Sequence, residues 1–417
     1  MKTSSTSILP AASLALWLAL SLAACGGGNS GTPTAPAPTP SPAPAPAPSP
    51  PSPAPAPSPG APPRAETFTT GLVSPWSLAF LPDGSMLVTE RGGQLKRVSA
   101  DGATVSAPIS GVPTVDSNGQ GGLFDVAVAS DFAASRRIFL SFAEPGSGAE
   151  AGRNGTAVGT GVLNAGHTAL NNWTVIFRQS PKVASSAHFG GRIVLAAGGM
   201  LYVTLGERQL GSERGKAQDL TTGHGKVMRI RTDGTSPGDN PFATTAGAQA
   251  SIWSYGHRNP QGAALHPQTG ELWTSEHGPQ GGDEVNRSRA GLNYGWPLVS
   301  YGCEYGAPVG ACTPVGGAST GAGFEPPLTY WVPTSIAPSG LAFYTGDRFP
   351  EWRGNLFLGA LAGQALWRLE LNGNTVAARE ALFTGLNERI RDVRQGPDGW
   401  LYLLTDSSNG RIVRIVR

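Results

Sequence analysis

The stretch Trp76-Ser-Leu-Ala-Phe-Leu-Pro-Asp-Gly-Ser-Met-Leu-Val-Thr-Glu90 joins two apolar runs through a Pro-Asp-Gly turn. Apolar runs of this length on either side of such a turn are typical of an antiparallel β-hairpin. The same arrangement recurs at Leu123 to Phe142, Gly191 to Thr204, Gly262 to Glu276, Gly340 to Gly359 and Val393 to Thr405. No comparable 3.6-residue periodicity indicates long helices. Six hairpin units at intervals of about 45 to 80 residues predict an all-β fold, a six-bladed β-propeller whose loops build a ligand site on one face.

The residues before these repeats predict an export signal. A short segment with one lysine precedes the apolar run Ile8 to Ala24, which ends in Leu-Ala-Ala-Cys25. The run is about 17 residues long and contains Pro10, so a secretory signal is favoured over a transmembrane helix. The L-A-A-C ending resembles the bacterial lipoprotein lipobox, which implies a signal peptide at residues 1–24 and a lipid anchor at Cys25. Gly26 in place of aspartate implies a periplasmic protein held on the outer membrane of a Gram-negative bacterium.

A proline-rich segment follows the cysteine. Sixteen of the 37 prolines lie between Pro33 and Pro63, where they alternate mainly with Ala, Ser and Thr. Such a composition cannot bury a core and favours extended polyproline geometry. We therefore expect residues 25–65 to be a lipidated cysteine and a disordered linker, and residues 66–417 to be the propeller domain. A ligand for a proline-binding module is the alternative use of this segment.

The charge and the cysteines of the chain from Arg64 onward, which we call the body, argue against several kinds of partner and metal site. Lys2 is the only charged side chain before Arg64, which leaves 29 basic residues against 28 acidic residues in the body. A nearly neutral body without basic runs argues against nucleic acid and against a polybasic membrane surface. Cys303 and Cys312 flank a turn-rich stretch that a disulfide could close in an oxidising compartment, and they lack the spacing typical of a zinc site.

Dense polar clusters lie beside the strands of the repeats. They are Asn118-Gly-Gln-Gly-Gly122, Ala187-His-Phe-Gly-Gly-Arg192, Gly256-His-Arg-Asn-Pro-Gln-Gly262, Glu276-His-Gly-Pro-Gln-Gly-Gly-Asp-Glu-Val-Asn286, Trp331-Val-Pro-Thr334 and Glu388-Arg-Ile-Arg-Asp392. Together they resemble the soluble PQQ-dependent aldose sugar dehydrogenases of the glucose/sorbosone type, over the body from about residue 66 to residue 417. The resemblance implies oxidation of an aldose to its lactone, with hydride transfer from the anomeric carbon to pyrroloquinoline quinone (PQQ) held with Ca²⁺.

The resemblance places the general base of the family at His188. A neutral imidazole can take the proton of the anomeric hydroxyl as hydride leaves the same carbon. A lone histidine is otherwise more often structural. Arg258 falls where an arginine would stabilise negative charge on the reduced quinone, since its donors are fixed and it stays protonated. The alternative for Arg258 is a surface arginine paired with a loop carboxylate.

The remaining cofactor residues follow from the same motifs. Arg389 and Arg391 are two positions apart, so on an extended segment both side chains lie on one side, where they could bind the carboxylates of PQQ. The resemblance also implies that the backbone carbonyls of Gly278 and Pro279 bind Ca²⁺, which takes carbonyl oxygens readily. The other cofactor-binding residues that it implies are Gln120, Asn259 and Thr334.

Four positions in or near the motifs depart from the family or carry a further carboxylate. Glu207 stands where the family usually has the aspartate that orients the catalytic histidine, and its side chain is one methylene longer. Ala362 stands where the family often has a lysine that contacts the quinone, which implies the loss of one cofactor contact. Asp283 is expected to cap backbone amides of its loop, and Glu284 is given the same role.

Two other functions remain open at this stage. A Ca²⁺-dependent lactonase would need side-chain carboxylates and an asparagine around a central metal. A non-catalytic propeller that binds sugar or protein is the alternative of a different class, because the lysine is missing and the aspartate is replaced. For the enzyme we expect an aldose substrate, a respiratory electron acceptor or an artificial dye, a membrane partner only through the lipid anchor, and no nucleic acid.

Overall fold

The computed structural model describes residues 60–308 and 310–417. The predicted signal peptide, the lipid anchor at Cys25 and nearly all of the predicted linker lie outside the described residues. Within the described part of the chain, no helix is both long enough and apolar enough to span a membrane.

The chain forms antiparallel sheets joined by turns and short helices. The strands of the first half are β1 (Arg64–Leu72), β2 (Pro75–Phe80), β3 (Met86–Glu90), β4 (Gln94–Val98), β5 (Leu123–Val128), β6 (Arg137–Pro145), β7 (Asn154–Leu163), β8 (Leu170–Arg178), β9 (Gly190–Ala196), β10 (Met200–Leu205), β11 (Lys226–Arg231) and β12 (Ile252–Tyr255). The strands of the second half are β13 (Pro260–Leu265), β14 (Leu272–Glu276), β15 (Asp283–Arg287), β16 (Thr329–Trp331), β17 (Pro338–Phe343), β18 (Leu356–Ala360), β19 (Leu366–Asn372), β20 (Thr375–Leu382), β21 (Ile390–Gln395), β22 (Leu401–Thr405) and β23 (Gly410–Val416).

The helices occupy connections. They are α1 (Phe132–Ser135), α2 (Gly211–Arg214) and the 3₁₀ turns Gly148–Glu150, Ala197–Gly199, Gly215–Gln218, Pro350–Trp352 and Thr384–Leu386. The connection between β5 and β6 contains one helical turn, α1.

Six sheets in the described chain confirm the predicted six-bladed β-propeller. Blade 1 is β2-β3-β4, blade 2 is β5 to β8, blade 3 is β9 to β12, blade 4 is β13 to β16, blade 5 is β17 to β20, and blade 6 is β21-β22-β23 with β1 at its outer edge. The first strand of each blade contacts the first strand of the next, and β2 contacts β21, so the ring closes. β1 pairs antiparallel with β23, with Arg64 opposite Val416. The start of the domain thus completes the last blade.

The hydrophobic core lies between adjacent blades rather than inside one of them. Leu87 and Leu95 of blade 1 pack with Ile138 and Phe142 of blade 2, and each further pair of neighbouring blades shares a similar cluster. This follows from the sequence, because most of the first three strands of each blade bury residues on both faces. The inner strands are therefore held firmly by apolar packing.

Charged residues cross the centre of the ring. Arg192 of β9 donates from Nη1 to Asp125 of β5 at 3.1 Å and lies 3.2 Å from Asp392 of β21. Arg394 completes the group, with Nε 2.9 Å from Asp392 Oδ2. Two cations and two carboxylates balance each other, which offsets the cost of burying these charges between the first strands of blades 2, 3 and 6.

The first and second strands of every blade run in opposite directions. The starts of the first strands and the ends of the second strands therefore lie on one face of the propeller, which we call the site face. Loops that precede a first strand or follow a second strand converge there.

Candidate functional site

Every site residue predicted from the loop motifs lies next to the site face. Gln120, His188, Arg258, Asn259, Thr334, Arg389 and Arg391 lie in loops before first strands or at the start of one, and Glu207, Gly278 and Pro279 follow second strands. Hydrogen bonds join Gln120, His188, Glu207, Arg258, Asn259 and Gly278 into one network. Arg391 donates to Gln261 and shares Asp406 with Arg389 in a separate group, and Thr334 and Pro279 make no hydrogen bond to the network among the described residues.

His188 is held at both its backbone and its ring. The residue has a φ of 48°, in the left-handed region, and is 3% exposed. Its backbone N–H donates to Gln120 Oε1 at 2.9 Å. Its Nδ1 lies 2.7 Å from Glu207 Oε1, so the contact with the family's aspartate position is made here by the longer glutamate. The imidazole is therefore fixed in orientation by a carboxylate on the neighbouring strand end.

Burial shifts the pKa values of His188 and Glu207. Burial, together with the nearby Arg258, Arg208 and Arg214, holds the pKa of His188 well below its usual value. Burial raises the pKa of Glu207 from 4.5 to about 7, although the same three arginines and the Gln209 N–H oppose the rise. When Glu207 is ionised, it accepts the Nδ1–H of a neutral imidazole, and Nε2 then has a free lone pair. The pair can therefore take up a proton at His188 Nε2.

Close backbone packing explains the glycine before Glu207. A Cβ on Gly206 would lie 2.0 Å from the His188 carbonyl oxygen and 3.0 Å from Asn259 Oδ1. Asn259 Oδ1 accepts the Gly190 N–H at 3.1 Å, and Glu207 donates its N–H to the Arg258 carbonyl at 2.9 Å. The loops of blades 3 and 4 are thus locked together around His188.

Arg258 is a buried arginine, and the surface alternative is wrong. Only 4% of the residue is exposed. Its Nη1 donates to the carbonyls of His277, at 3.0 Å, and Gly278, and its Nη2 donates to the Tyr305 hydroxyl at 3.0 Å. No carboxylate in the described chain forms a salt bridge with the guanidinium, which leaves its positive charge available to a ligand.

The turn at Gly278 presents backbone carbonyls. The Gly278 N–H donates to Asp283 Oδ1 at 2.9 Å, and Asp283 Oδ2 accepts the N–H groups of Ile336 and Ala337. The prediction that Asp283 caps backbone amides is therefore confirmed. Glu284 caps none among the described residues. It lies opposite Glu276 on paired strands and accepts from Asn286, and both burial and Glu276 raise its pKa.

A cation at this turn would depend on carbonyl oxygens. The Gly278 carbonyl accepts one hydrogen bond, from Arg258, and keeps a second lone pair. No donor of the described residues reaches the Pro279 carbonyl. In residues 60–308 and 310–417, no group of three or more His, Cys, Asp or Glu side chains is arranged to hold a metal.

The two arginines of blade 6 share one carboxylate. Arg389 and Arg391 both donate to Asp406 Oδ2, from their Nη2 atoms at 3.0 and 2.9 Å. Both side chains therefore lie on one side of the chain, as their spacing predicts. Arg391 also donates from Nη1 to Gln261 Oε1 at 2.8 Å. The side chain of Arg391 is only 10% exposed, whereas that of Arg389 is 45% exposed.

Thr334 and Ala362 lie together at the edge of the site. Both residues are exposed. The Ala362 N–H donates to the Ile336 carbonyl at 3.0 Å, which places Ala362 beside the loop that carries Thr334. The lysine that the family often has would therefore start from the same edge as Thr334.

A disulfide shapes the loop beyond the Gly278 turn. Cys303 and Cys312 are joined, with their Cα atoms 6.2 Å apart, so the disulfide suggested by the sequence is present. Cys303 also exchanges backbone hydrogen bonds with Gln280. The cross-link thus fixes the start of the loop whose Tyr305 contacts Arg258.

Several residues of the site were not predicted from the loop motifs. Glu276 accepts the Arg258 N–H at 2.7 Å, Asp406 pairs with both arginines of blade 6, and Gln261 binds Arg391. Glu207, Glu276 and Asp406 share one sequence signal, since each is a carboxylate at or just after the end of a second strand. His277 donates from Nε2 to the Pro338 carbonyl at 2.8 Å, and burial lowers its pKa to about 3.

Three buried donors of the site lack a partner, although other buried donors of the described chain, such as Trp273 Nε1 and Arg368 Nε, lack one as well. Arg258 Nε, Asn259 Nδ2 and Arg391 Nε are buried and have no hydrogen-bond partner among the described residues. Buried donors without partners are costly, so their occurrence calls for an explanation. Each of the three belongs to a residue that the sequence assigns to cofactor binding.

Comparisons with known proteins cover nearly the whole propeller. A family model described as Glucose / Sorbosone dehydrogenase matches residues 72–414, from the end of β1 into β23. Aldose sugar dehydrogenase YliI of Escherichia coli K12 is 47% identical over 351 residues, which are 84% of this chain and 92% of that protein.

Solved structures agree with the sequence comparison. The crystal structure of the soluble aldose sugar dehydrogenase from Escherichia coli in the apo form matches with a TM-score of 0.79 at 46% identity, covering 85% of this chain and 99% of that chain. The structure of the PQQ-bound form of the aldose sugar dehydrogenase from Streptomyces coelicolor matches with a TM-score of 0.69 at 29% identity, covering 86% of this chain and 100% of that chain.

Proposed function

The chain belongs to the glucose/sorbosone dehydrogenase family of oxidoreductases, and from this premise we propose that it oxidises aldose sugars to lactones with PQQ and Ca²⁺ as cofactors. The family resemblance predicted from the loop motifs is confirmed. The observation that best supports the proposal is the buried His188–Glu207 pair, which lies on the same face as the unsatisfied donors of Arg258, Asn259 and Arg391.

The donor set suits PQQ. This molecule carries three carboxylates and two quinone carbonyls, all of which are hydrogen-bond acceptors. The guanidinium groups of Arg258 and Arg391 are planar donors that suit carboxylate and carbonyl oxygens. Gln120, Thr334 and Arg389 would complete the binding set at the outer edge, and the carbonyls of Gly278 and Pro279 would hold Ca²⁺. The PQQ-bound structure of the Streptomyces coelicolor relative supports PQQ as the cofactor.

The residues of the chain would carry out the proton chemistry. PQQ, when bound with Ca²⁺, supplies an electrophilic quinone that accepts hydride from the anomeric carbon. His188 Nε2 accepts the proton of the anomeric hydroxyl, and the carboxylate of Glu207 stabilises the imidazolium that forms. The positive charge of Arg258 favours negative charge that develops next to it.

Reconstitution tests the proposed function directly. Purified protein should be loaded with PQQ and Ca²⁺ and tested for dye reduction with a panel of aldoses. We expect turnover with at least one aldose, a change in the PQQ absorption spectrum on binding, and loss of turnover after Ca²⁺ is chelated. A protein that neither perturbs PQQ nor reduces dye would instead be the non-catalytic binding propeller.

The turnover number should depend on pH through Glu207. Below pH 7 the carboxylic acid of Glu207 can donate to Nδ1, which places the imidazole proton on Nε2 and blocks the base. Above pH 7 the ionised carboxylate accepts from Nδ1, and Nε2 is free. We therefore expect kcat to rise with pH and to be half-maximal near pH 7. Arg258, Arg208, Arg214 and the neutral His277 are the other titratable groups near this pair.

Glu207→Gln provides the control for this pH dependence. The amide oxygen can still accept from Nδ1, but the amide does not titrate in this range. We expect a lower kcat that no longer rises between pH 6 and 8, as measured at saturating sugar and PQQ. If kcat of this variant still rises with pH in the same range, a group other than Glu207 causes the rise.

The cellular arrangement is a separate proposal. We propose that Cys25 is lipidated and tethers the propeller in the periplasm, where a respiratory carrier would take the electrons. This proposal rests on residues before Gly60, and labelling of cells with a radioactive fatty acid, with Cys25→Ser as control, would test it.

A further inference from the structure

Arg208 is a buried arginine that the proposed chemistry does not use. It follows Glu207 directly, its exposure is 0%, and its φ of 75° lies in the left-handed region. Burying a guanidinium is costly unless its donors are satisfied. Its side chain forms four hydrogen bonds, all to uncharged oxygens, and it forms no salt bridge with a carboxylate of the described residues.

One side of the guanidinium holds the segment around His188. Nε donates to the Ala187 carbonyl at 3.0 Å, and Nη2 donates to the Ser185 carbonyl at 2.7 Å. The guanidinium carbon also lies 3.8 Å from the centre of the Phe189 ring. Arg208 therefore contacts the residues immediately before and after His188 in the chain, without touching the imidazole itself.

The other side reaches the loop that carries Gln120. Nη2 donates to Asn154 Oδ1 at 2.6 Å, and Asn154 Nδ2 donates to Asp116 Oδ2 at 2.7 Å. Asp116 begins the loop that leads to Gln120, whose side-chain oxygen accepts the His188 N–H at 2.9 Å. Arg208 is therefore connected to His188 in two ways. One set of contacts runs through Ala187 and Phe189, and the other runs through Asn154, Asp116 and the loop that carries Gln120. We call these contacts together the circuit.

The circuit encloses strained backbone. His188, Arg208 and Gln209 all have positive φ values, of 48°, 75° and 63°. Such conformations cost free energy for residues other than glycine and persist only where surrounding contacts enforce them. The contacts of Arg208 lie where this enforcement is needed.

We propose that Arg208 is the positioning residue for His188, and that its forked guanidinium fixes the His188 backbone and the Gln120 loop in the geometry that proton transfer requires. The proposal rests on the proposed function for the role of His188 as base. It assigns Arg208 no contact with sugar or cofactor.

A second consequence of Arg208 is electrostatic. Its charge, like those of Arg258 and Arg214, favours the ionised carboxylate of Glu207 and disfavours protonation of His188. Removal of the charge should therefore raise the pH at which the His188–Glu207 pair changes its protonation. A residue that stabilises the fold without its charge reaching this pair would leave that pH unchanged.

Two substitutions separate geometry from charge. Arg208→Lys keeps the charge but loses the fork, and we expect kcat to fall about 10- to 100-fold with the KM for sugar and the Kd for PQQ nearly unchanged, because a displacement near 1 Å has effects of this size. Arg208→Gln loses both the charge and the forked guanidinium. We therefore expect the rise of kcat with pH to move to higher pH in addition. Arg414→Gln is a control away from the site: Arg414 also stacks on a ring, Phe68, but its side chain is 31% exposed and pairs with Glu66 on blade 6.

A readout without cofactor keeps this proposal distinct from the proposed function. ¹⁵N NMR of the His188 imidazole in PQQ-free protein should show the change between the Nδ1–H and Nε2–H tautomers at higher pH in Arg208→Gln, but not in Arg208→Lys or Arg414→Gln. If the protein shows no PQQ-dependent turnover but the tautomer change still moves to higher pH in Arg208→Gln, the proposed function is rejected, and the effect of Arg208 on the His188–Glu207 pair is retained. If Arg208→Gln lowers only the Tm, as Arg414→Gln should, Arg208 is structural and the proposal is overturned. Should Arg208→Gln fail to fold, Asn154→Ala, which cuts one route of the circuit, must lower kcat or the proposal fails.

Discussion

Replacement of His188 with asparagine is expected to lower kcat by about 10²- to 10⁴-fold, the usual contribution of a general base. The reason is the loss of Nε2, the only basic atom that the Glu207 contact leaves free at this position. The Kd for PQQ should change little, because the side chain of His188 is not among the donors that we assign to the cofactor. Stopped-flow reduction of PQQ by sugar, together with an absorbance titration of PQQ, measures both quantities.

Asparagine is a better replacement than alanine because of the backbone. His188 has a φ of 48°, and asparagine tolerates this left-handed conformation more readily than alanine does. His167 also has a left-handed φ, of 52°, and lies at the β7–β8 turn of blade 2, so His167→Asn is the matched control. If His188→Asn binds PQQ and retains full turnover, another group is the base. If both variants lose activity equally, the effect belongs to the fold.

The repeating hairpins were predictable because their signal is local. Each unit places two apolar runs on either side of a turn, and the structure contains β2 and β3, β9 and β10, and the other pairs at those positions. The closing strand β1 was not predicted, since its partner β23 is more than 300 residues away in the chain. Its exposed and mixed sequence carries no signal of that pairing.

The site was predictable where a motif carries the chemistry and unpredictable where the fold supplies a partner. His188, Arg258 and Arg391 stand in distinctive loop motifs, but a sequence does not show that Asp406 neutralises part of the blade 6 charge. The contact of Arg258 with the Gly278 carbonyl is equally hidden, because it joins two loops through a backbone oxygen. The role proposed for Arg208 is also hidden from the sequence, because it depends on how the backbone folds around His188.

Replacement of Arg391 with alanine is expected to weaken PQQ binding by about 10²-fold, because a charge-assisted hydrogen bond contributes about 1.5–3 kcal/mol and a bidentate pair contributes more. The guanidinium of Arg391 is buried between Gln261 and Asp406, and its Nε has no partner in the described chain. Its loss also removes one of the two cations that lower the pKa of Asp406, which leaves a less compensated carboxylate near the cofactor. Equilibrium dialysis with PQQ at fixed Ca²⁺ measures the Kd.

The neighbouring arginine provides the matched comparison. Arg389 shares Asp406 with Arg391, but its side chain is 45% exposed against 10% for Arg391. Because solvent screens exposed charges, Arg389→Ala should weaken PQQ binding by only about tenfold or less. At saturating PQQ, both variants should approach the kcat of the unmodified protein, since neither side chain contacts the His188–Glu207 pair. Equal and small losses of affinity in the two variants would mean that Arg391 serves to join blades 4 and 6 through Gln261 rather than to hold the cofactor.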